Sequence, residues 1–117
     1  MGEKTEKMKW EGRKTTQGTM QAVAATPAIG PIIHGQKTVG TPGSPEQLRG
    51  PQPLESGVTV KALTDNTGIV YVGSNTVTSG NGFTLAADEQ IFIEINDTNL
   101  VWLDVSVGQE GVSYLGS

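Results

Sequence analysis

Apolar and polar residues alternate with a period of two through much of the stretch from Gly57 to Gly116, as in strands that bury one face. Val58, Val60 and Ala62 alternate with Thr59 and Lys61. The turn residues Thr64-Asp65-Asn66-Thr67-Gly68 follow, and Ile69-Val70-Tyr71-Val72 is expected to return as the hairpin partner of the first strand. A short strand is predicted at Thr76-Val77-Thr78, then a turn at Ser79-Gly80-Asn81-Gly82 and a strand at Phe83-Thr84-Leu85. Ile91, Ile93 and Ile95 share a face with Glu94 opposite; Val101, Leu103, Val105 and Val107 share another, with Trp102, Asp104 and Ser106 opposite. Asn96-Asp97-Thr98-Asn99 joins these two strands, and Val112-Ser113-Tyr114-Leu115 closes the set. About seven short strands with turns every 8–12 residues predict an all-β fold, a small antiparallel β-sandwich or barrel.

Residues 1–56 lack this alternation and hold all six prolines, at 27, 31, 42, 45, 51 and 53. Each proline removes an amide donor and biases its predecessor to extended backbone, which predicts a long extended Gly/Pro-rich N-terminal arm. The chain is therefore divided into an arm, 1–56, and a β domain, 57–117. Ser44-Pro45-Glu46-Gln47 reads as a capping box for one helical turn, stopped by Gly50-Pro51. Met20, Val23, Ile29, Ile32 and Ile33 give the arm the apolar content of a strip that lies on another surface, as an added strand or in a groove. Trp10, the one large apolar group of a charged N-terminal tip, is expected to anchor in a partner.

Charge sharpens the division. Residues 1–50 carry seven basic and four acidic side chains, a balance of +3, and residues 51–117 carry Lys61 against eight acids, a balance of −7. No dense Lys/Arg face with interleaved aromatics exists, so nucleic acid is not an expected partner. No apolar run reaches the roughly 20 residues of a membrane span, and the charged start lacks the apolar core of a signal peptide. Cysteine is absent. A β domain of roughly 60 residues is marginal alone, so assembly is the expected source of stability. Tyr71, Phe92 and Trp102 alternate outward and are expected to form a second apolar face that serves as an interface.

The residues specify no enzyme, cofactor or metal site. His34 is the only histidine and stands between Ile33 and Gly35 with no second ligand nearby in sequence. Asp88, Glu89, Glu94, Asp97 and Asp104 form no calcium-loop pattern and are expected on a solvated acidic face.

The runs Ser56-Gly57-Val58-Thr59-Val60-Lys61-Ala62-Leu63, Asn66 to Gly73, Asn81 to Glu89 and Gly111 to Gly116, in that order, resemble a small β domain of virion structural proteins of tailed bacteriophages. The resemblance covers residues 56–116 and leaves the arm aside. It implies a non-enzymatic structural protein of the virion, first a capsid decoration (cement) protein on the capsid surface, made in the host cytoplasm. The partners implied are the major capsid protein and copies of the chain itself, as a trimer or dimer, with neither nucleic acid nor membrane. A neck, tail or head-fibre component is the alternative. A host-surface or carbohydrate-binding module, with Trp102 and Tyr71 as a platform, is the reading from another class.

Overall fold

The computed structural model describes residues 31–117. These residues form eight strands: β1 (Ile33–Val39), β2 (Glu46–Gln47), β3 (Val58–Ala62), β4 (Val70–Gly73), β5 (Phe83–Leu85), β6 (Gln90–Ile93), β7 (Trp102–Val105) and β8 (Glu110–Gly116). A 3-10 turn, Thr98–Leu100, precedes β7. Two four-stranded sheets result, β1-β8-β3-β6 and β2-β7-β4-β5, with every pairing antiparallel.

Period-two patterning sets which side of each strand is dry. Val58, Val60 and Ala62 of β3 alternate with half-buried Thr59 and Lys61, and Val70 and Val72 of β4 alternate with Tyr71 and Gly73. Both sheets feed one core, in which Val39, Val58, Val60 and Val112 meet Val70, Leu85, Leu103 and Val105. Ile91, Ile93, Ile95 and Tyr114 close over its margin. The faces expected for Ile91, Ile93 and Ile95 and for Val101, Leu103 and Val105 are those found, whereas Val107 is 40% exposed, just past the end of β7.

The hairpin expected between Val58–Leu63 and Ile69–Val72 does not form, because β3 pairs with β8 and β6 while β4 pairs with β7 and β5. The intervening turn carries the chain from one sheet to the other. Leu63 N donates to Gly111 O at 3.0 Å and the Asn66 side-chain amide donates to Gly111 O at 2.8 Å, so the turn is tied to β8. Residues 76–78 are not a strand; Val77 N donates to Ser74 O at 2.9 Å in a turn, and the Val77 side chain is buried at 3% exposure beside Gly73 and Gly82.

The largest revision concerns residues 33–56, expected in the arm. Prolines 31 and 42 bracket β1 without interrupting it, and β1 is an edge strand, the sheet position that tolerates nearby proline best. It pairs along its whole length with β8, Val39 opposite Glu110 and Ile33 opposite Gly116. The added strand anticipated for this segment is thus supplied to the chain's own sheet. Ser44–Gln47 does not make a helical turn. Glu46 and Gln47 pair with Leu103 and Trp102, and the Glu46 carboxylate accepts from Lys37 Nζ at 2.8 Å and Gly40 N at 3.1 Å. Leu48 and Leu54 reach the core at 2% and 7% exposure. The folded unit therefore includes residues 33–56, well before residue 57.

Two glycines are required by close approach. A Cβ at Gly111 would run into the Lys37 carbonyl oxygen. One at Gly57, where φ is +144°, would meet the Phe92 ring at 2.8 Å.

Because Leu48 and Leu54 are core residues, Leu48→Ala and Leu54→Ala should each cost about 2–5 kcal/mol, measured by urea unfolding. A chain beginning at Gly57 should show no cooperative transition, and one beginning at Pro31 should keep it. Unchanged stability in both leucine variants would place residues 33–56 outside the folded unit.

Candidate interaction surfaces

The nine residues singled out from sequence as partner-binding fall into four groups. Trp10, Met20, Val23 and Ile29 lie outside the described residues. Ile33 is a core residue, 8% exposed; its place in β1 turns it inward, and its neighbour Ile32 is the exposed one. Ile32 and Phe92 lie on the outer side of the first sheet, and Tyr71 and Trp102 on the second. The single outer face expected for Tyr71, Phe92 and Trp102 is therefore split between two sheets, because β6 and β7 part company at the Asn96–Val101 crossing.

On the first sheet the register places His34, Leu115, Thr59 and Phe92 in one row from β1 to β6. Leu115 and Phe92 are 56% and 55% exposed, and Ile32, just before β1, is 70% exposed. A shallow groove runs among Ile32, Ser56, Gly57, Phe92, Leu115 and Ser117. The missing Cβ of Gly57 gives the Phe92 ring its seat, and Gly57 N and O both bond to Ser117 at 3.2 Å. Sequence reasoning missed Leu115. Its signal was the alternation of Val112 and Tyr114, which send Leu115 to the opposite face.

On the second sheet Tyr71 stands opposite Asp104 and Thr84, and Trp102 opposite Gly73 and Gln47. Both rings are half-buried. Pro45, Arg49 and Gly50 form a groove with Trp102. Asp104 does point away from the core, as its position in β7 predicts, yet it is only 2% exposed. The Thr41–Ser44 turn folds over it, with Gly43 N donating to Oδ1 at 2.9 Å and Val105 N at 2.8 Å.

Five of the other acids are tied to local structure. Asp88 Oδ1 accepts from Thr64 Oγ1 at 2.6 Å and faces Lys61 Nζ at 3.6 Å, while Glu89 Oε1 accepts from Ala86 N at 2.8 Å. Three carboxylates fasten connections between strands, and all are held below the usual carboxylate range. For Glu46 the main cause is the Lys37 ammonium hydrogen bond, then Gly40 N. Asp97 accepts from Asn99 N and Gln52 N, each at 3.0 Å. Glu110 accepts from Thr67 N at 2.8 Å, Gly68 N at 2.9 Å and Thr67 Oγ1 at 2.8 Å.

Among the described residues no three His, Cys, Asp or Glu side chains gather to hold a metal, and His34 stands exposed on β1. The geometry offers surfaces for association. Comparison with protein-family models, with curated proteins and with solved structures gives no match.

Because folding lowers the pKa of Glu46, Asp97 and Glu110, the stability they confer is present above the ordinary carboxylate pKa of about 4 and lost as pH falls through their lower folded values. The melting temperature should hold from about pH 7 to about pH 5 and fall below about pH 4. Glu110→Gln should lower the plateau and flatten that fall. A variant with the parent's acid slope would show that the clamp on Thr67 and Gly68 has no part in it.

Proposed function

We propose that this chain is a non-enzymatic structural protein of a bacteriophage virion, a capsid decoration (cement) protein that reinforces the shell. In this reading the two sheets pack as a small β-sandwich, and the residues before β1 form an extended arm laid over neighbouring subunits. The observation that carries it is the apolar patch of Ile32, Phe92 and Leu115 on the outer side of the first sheet. Three large apolar groups exposed together on so small a unit favour an interface. The patch lies where the chain enters β1, so residues preceding Ile32 and the sheet face meet a neighbour side by side. Two modest contacts held on one chain reinforce each other through effective concentration. The resemblance of residues 56–116 to phage virion proteins supports the same reading. The partners proposed are the major capsid protein and further copies of this chain, and the location is the capsid surface.

A carbohydrate-binding module would present Tyr71 and Trp102 as an open platform. Their half-burial beside the 41–50 segment favours association through the first sheet instead.

Shells of the parent particle stripped of this protein provide the test. Full-length protein should co-sediment with them in many copies and raise their temperature of disruption. Phe92→Ser with Leu115→Ser, and separately deletion of residues 2–30, should weaken both effects while leaving the urea transition in place. Absence of shell binding by the full-length protein would sink the proposal.

A further inference from the structure

A cleft on the outer side of the second sheet is lined by Pro42, Gly43, Tyr71, Ser79, Asp104 and Ser106. Asp104 is 98% removed from solvent in its wall, and both hydrogen bonds to its carboxylate from described residues fall on Oδ1. Those two backbone donors fix the carboxylate's orientation, and among the described residues nothing donates to Oδ2. A buried carboxylate without a compensating cation is costly. The described residues hold three basic side chains: Lys37 is on Glu46, Lys61 faces Asp88, and Arg49 lies beside Trp102. None of the three lines the cleft.

The geometry points to this cleft as a binding site for a basic side chain, a lysine ammonium or arginine guanidinium, carried by a polypeptide. The cation takes Oδ2 of Asp104 in a charge-assisted hydrogen bond. Tyr71, Ser79 and Ser106 line the same cleft and bring hydroxyl oxygens to accept its remaining N–H donors, Ser106 Oγ beside the Ile69 amide it already accepts at 2.8 Å, and the Tyr71 ring offers a face for a guanidinium. A neutral polyol satisfies Oδ2 but leaves the buried charge uncompensated, so a cation is the better fit. The described residues carry three basic and nine acidic side chains, a field that draws cations to the surface. Two sources carry the required chemistry: Lys4, Lys7, Lys9, Arg13 and Lys14 of this chain, or a different protein. The chemistry of the cleft is the same whether or not the protein coats a shell.

Titration of isotope-labelled full-length protein with ethylguanidinium and n-butylammonium, at constant low ionic strength, tests the site through the amide shifts of Gly43, Ser79 and Val105. Saturable shifts are expected, lost at about 0.5 M NaCl and weakened by about tenfold or more in Asp104→Asn. That variant keeps an oxygen acceptor for Gly43 and Val105 and removes the charge. A second variant, Ser79→Lys, tethers an ammonium at the exposed rim; it should abolish the response to added cations and raise the melting temperature. Replacing the five N-terminal cations with glutamine assigns the source: tighter probe binding means that they compete for the cleft, and unchanged binding means that a different protein supplies the cation. Shifts that persist in Asp104→Asn, an absence of saturable shifts in both the parent and the five-glutamine chain, or equal shifts with neutral methyl glycosides would overturn the assignment.

Discussion

The fold depends on β8 being hydrogen-bonded on both sides. It pairs with β1 along Glu110–Gly116 and with β3 along Val112–Gly116, so the first sheet exists only once the end of the chain is in place between two earlier strands. The central strand must admit both neighbours closely, which excludes a side chain at Gly111 and leaves room for Gly35 beneath the Tyr114 ring. Pairing the first described strand with the last is also entropically demanding, since the intervening loop must close before the ladder repays it.

That constraint assigns work to the connections. The chain crosses between sheets after β1, β2, β3, β5, β6 and β7, so most loops span the core's edge instead of turning back as hairpins. Asp97 and Glu110 take donors from segments 45 and 42 residues away, while Glu46 takes its donors from nearby Lys37 and Gly40 across the β1–β2 crossing, and together they fasten these crossings. Thr98 joins in from a fully buried position, its hydroxyl donating to Gly50 O at 2.9 Å while its amide donates to Gln52 O at 3.1 Å. With no disulfide available, charge-assisted bonds to backbone amides hold loops that a small core alone would leave loose.

Strand existence and facing were largely legible because period-two alternation is a local property: each of β3 to β8 overlaps a stretch read as a strand, and only Thr76–Thr78 was read as one and is a turn. Pairing was not, because it is decided between strands remote in sequence. Thr64–Gly68 has the composition of a hairpin turn, yet the tie from Asn66 to Gly111 sends it across the core. Residues 33–56 were misassigned for a related reason. Proline and glycine density argues against a central strand, but β1 needs only an edge, and Leu48 and Leu54 pack singly, without a period to announce them. On the surface, the sequence pointed to Phe92 and Ile32 but not to Leu115, and it placed Asp104 on an outer face without the turn that covers it.

The two outer faces consequently differ in kind. The first sheet exposes Ile32, Phe92 and Leu115 beside the entry of the chain, and apolar contact there gains little from direction and much from area. The second holds Tyr71 half-covered beside the buried Asp104 carboxylate, where the cation contact proposed above gains from one oriented charge-assisted bond and loses sharply with the wrong partner. In the proposed readings a partner is held by the first face and oriented by the second, and antiparallel pairing makes that asymmetry inexpensive. Alternate residues of every strand serve the shared core, which leaves the outward set of each sheet free to differ.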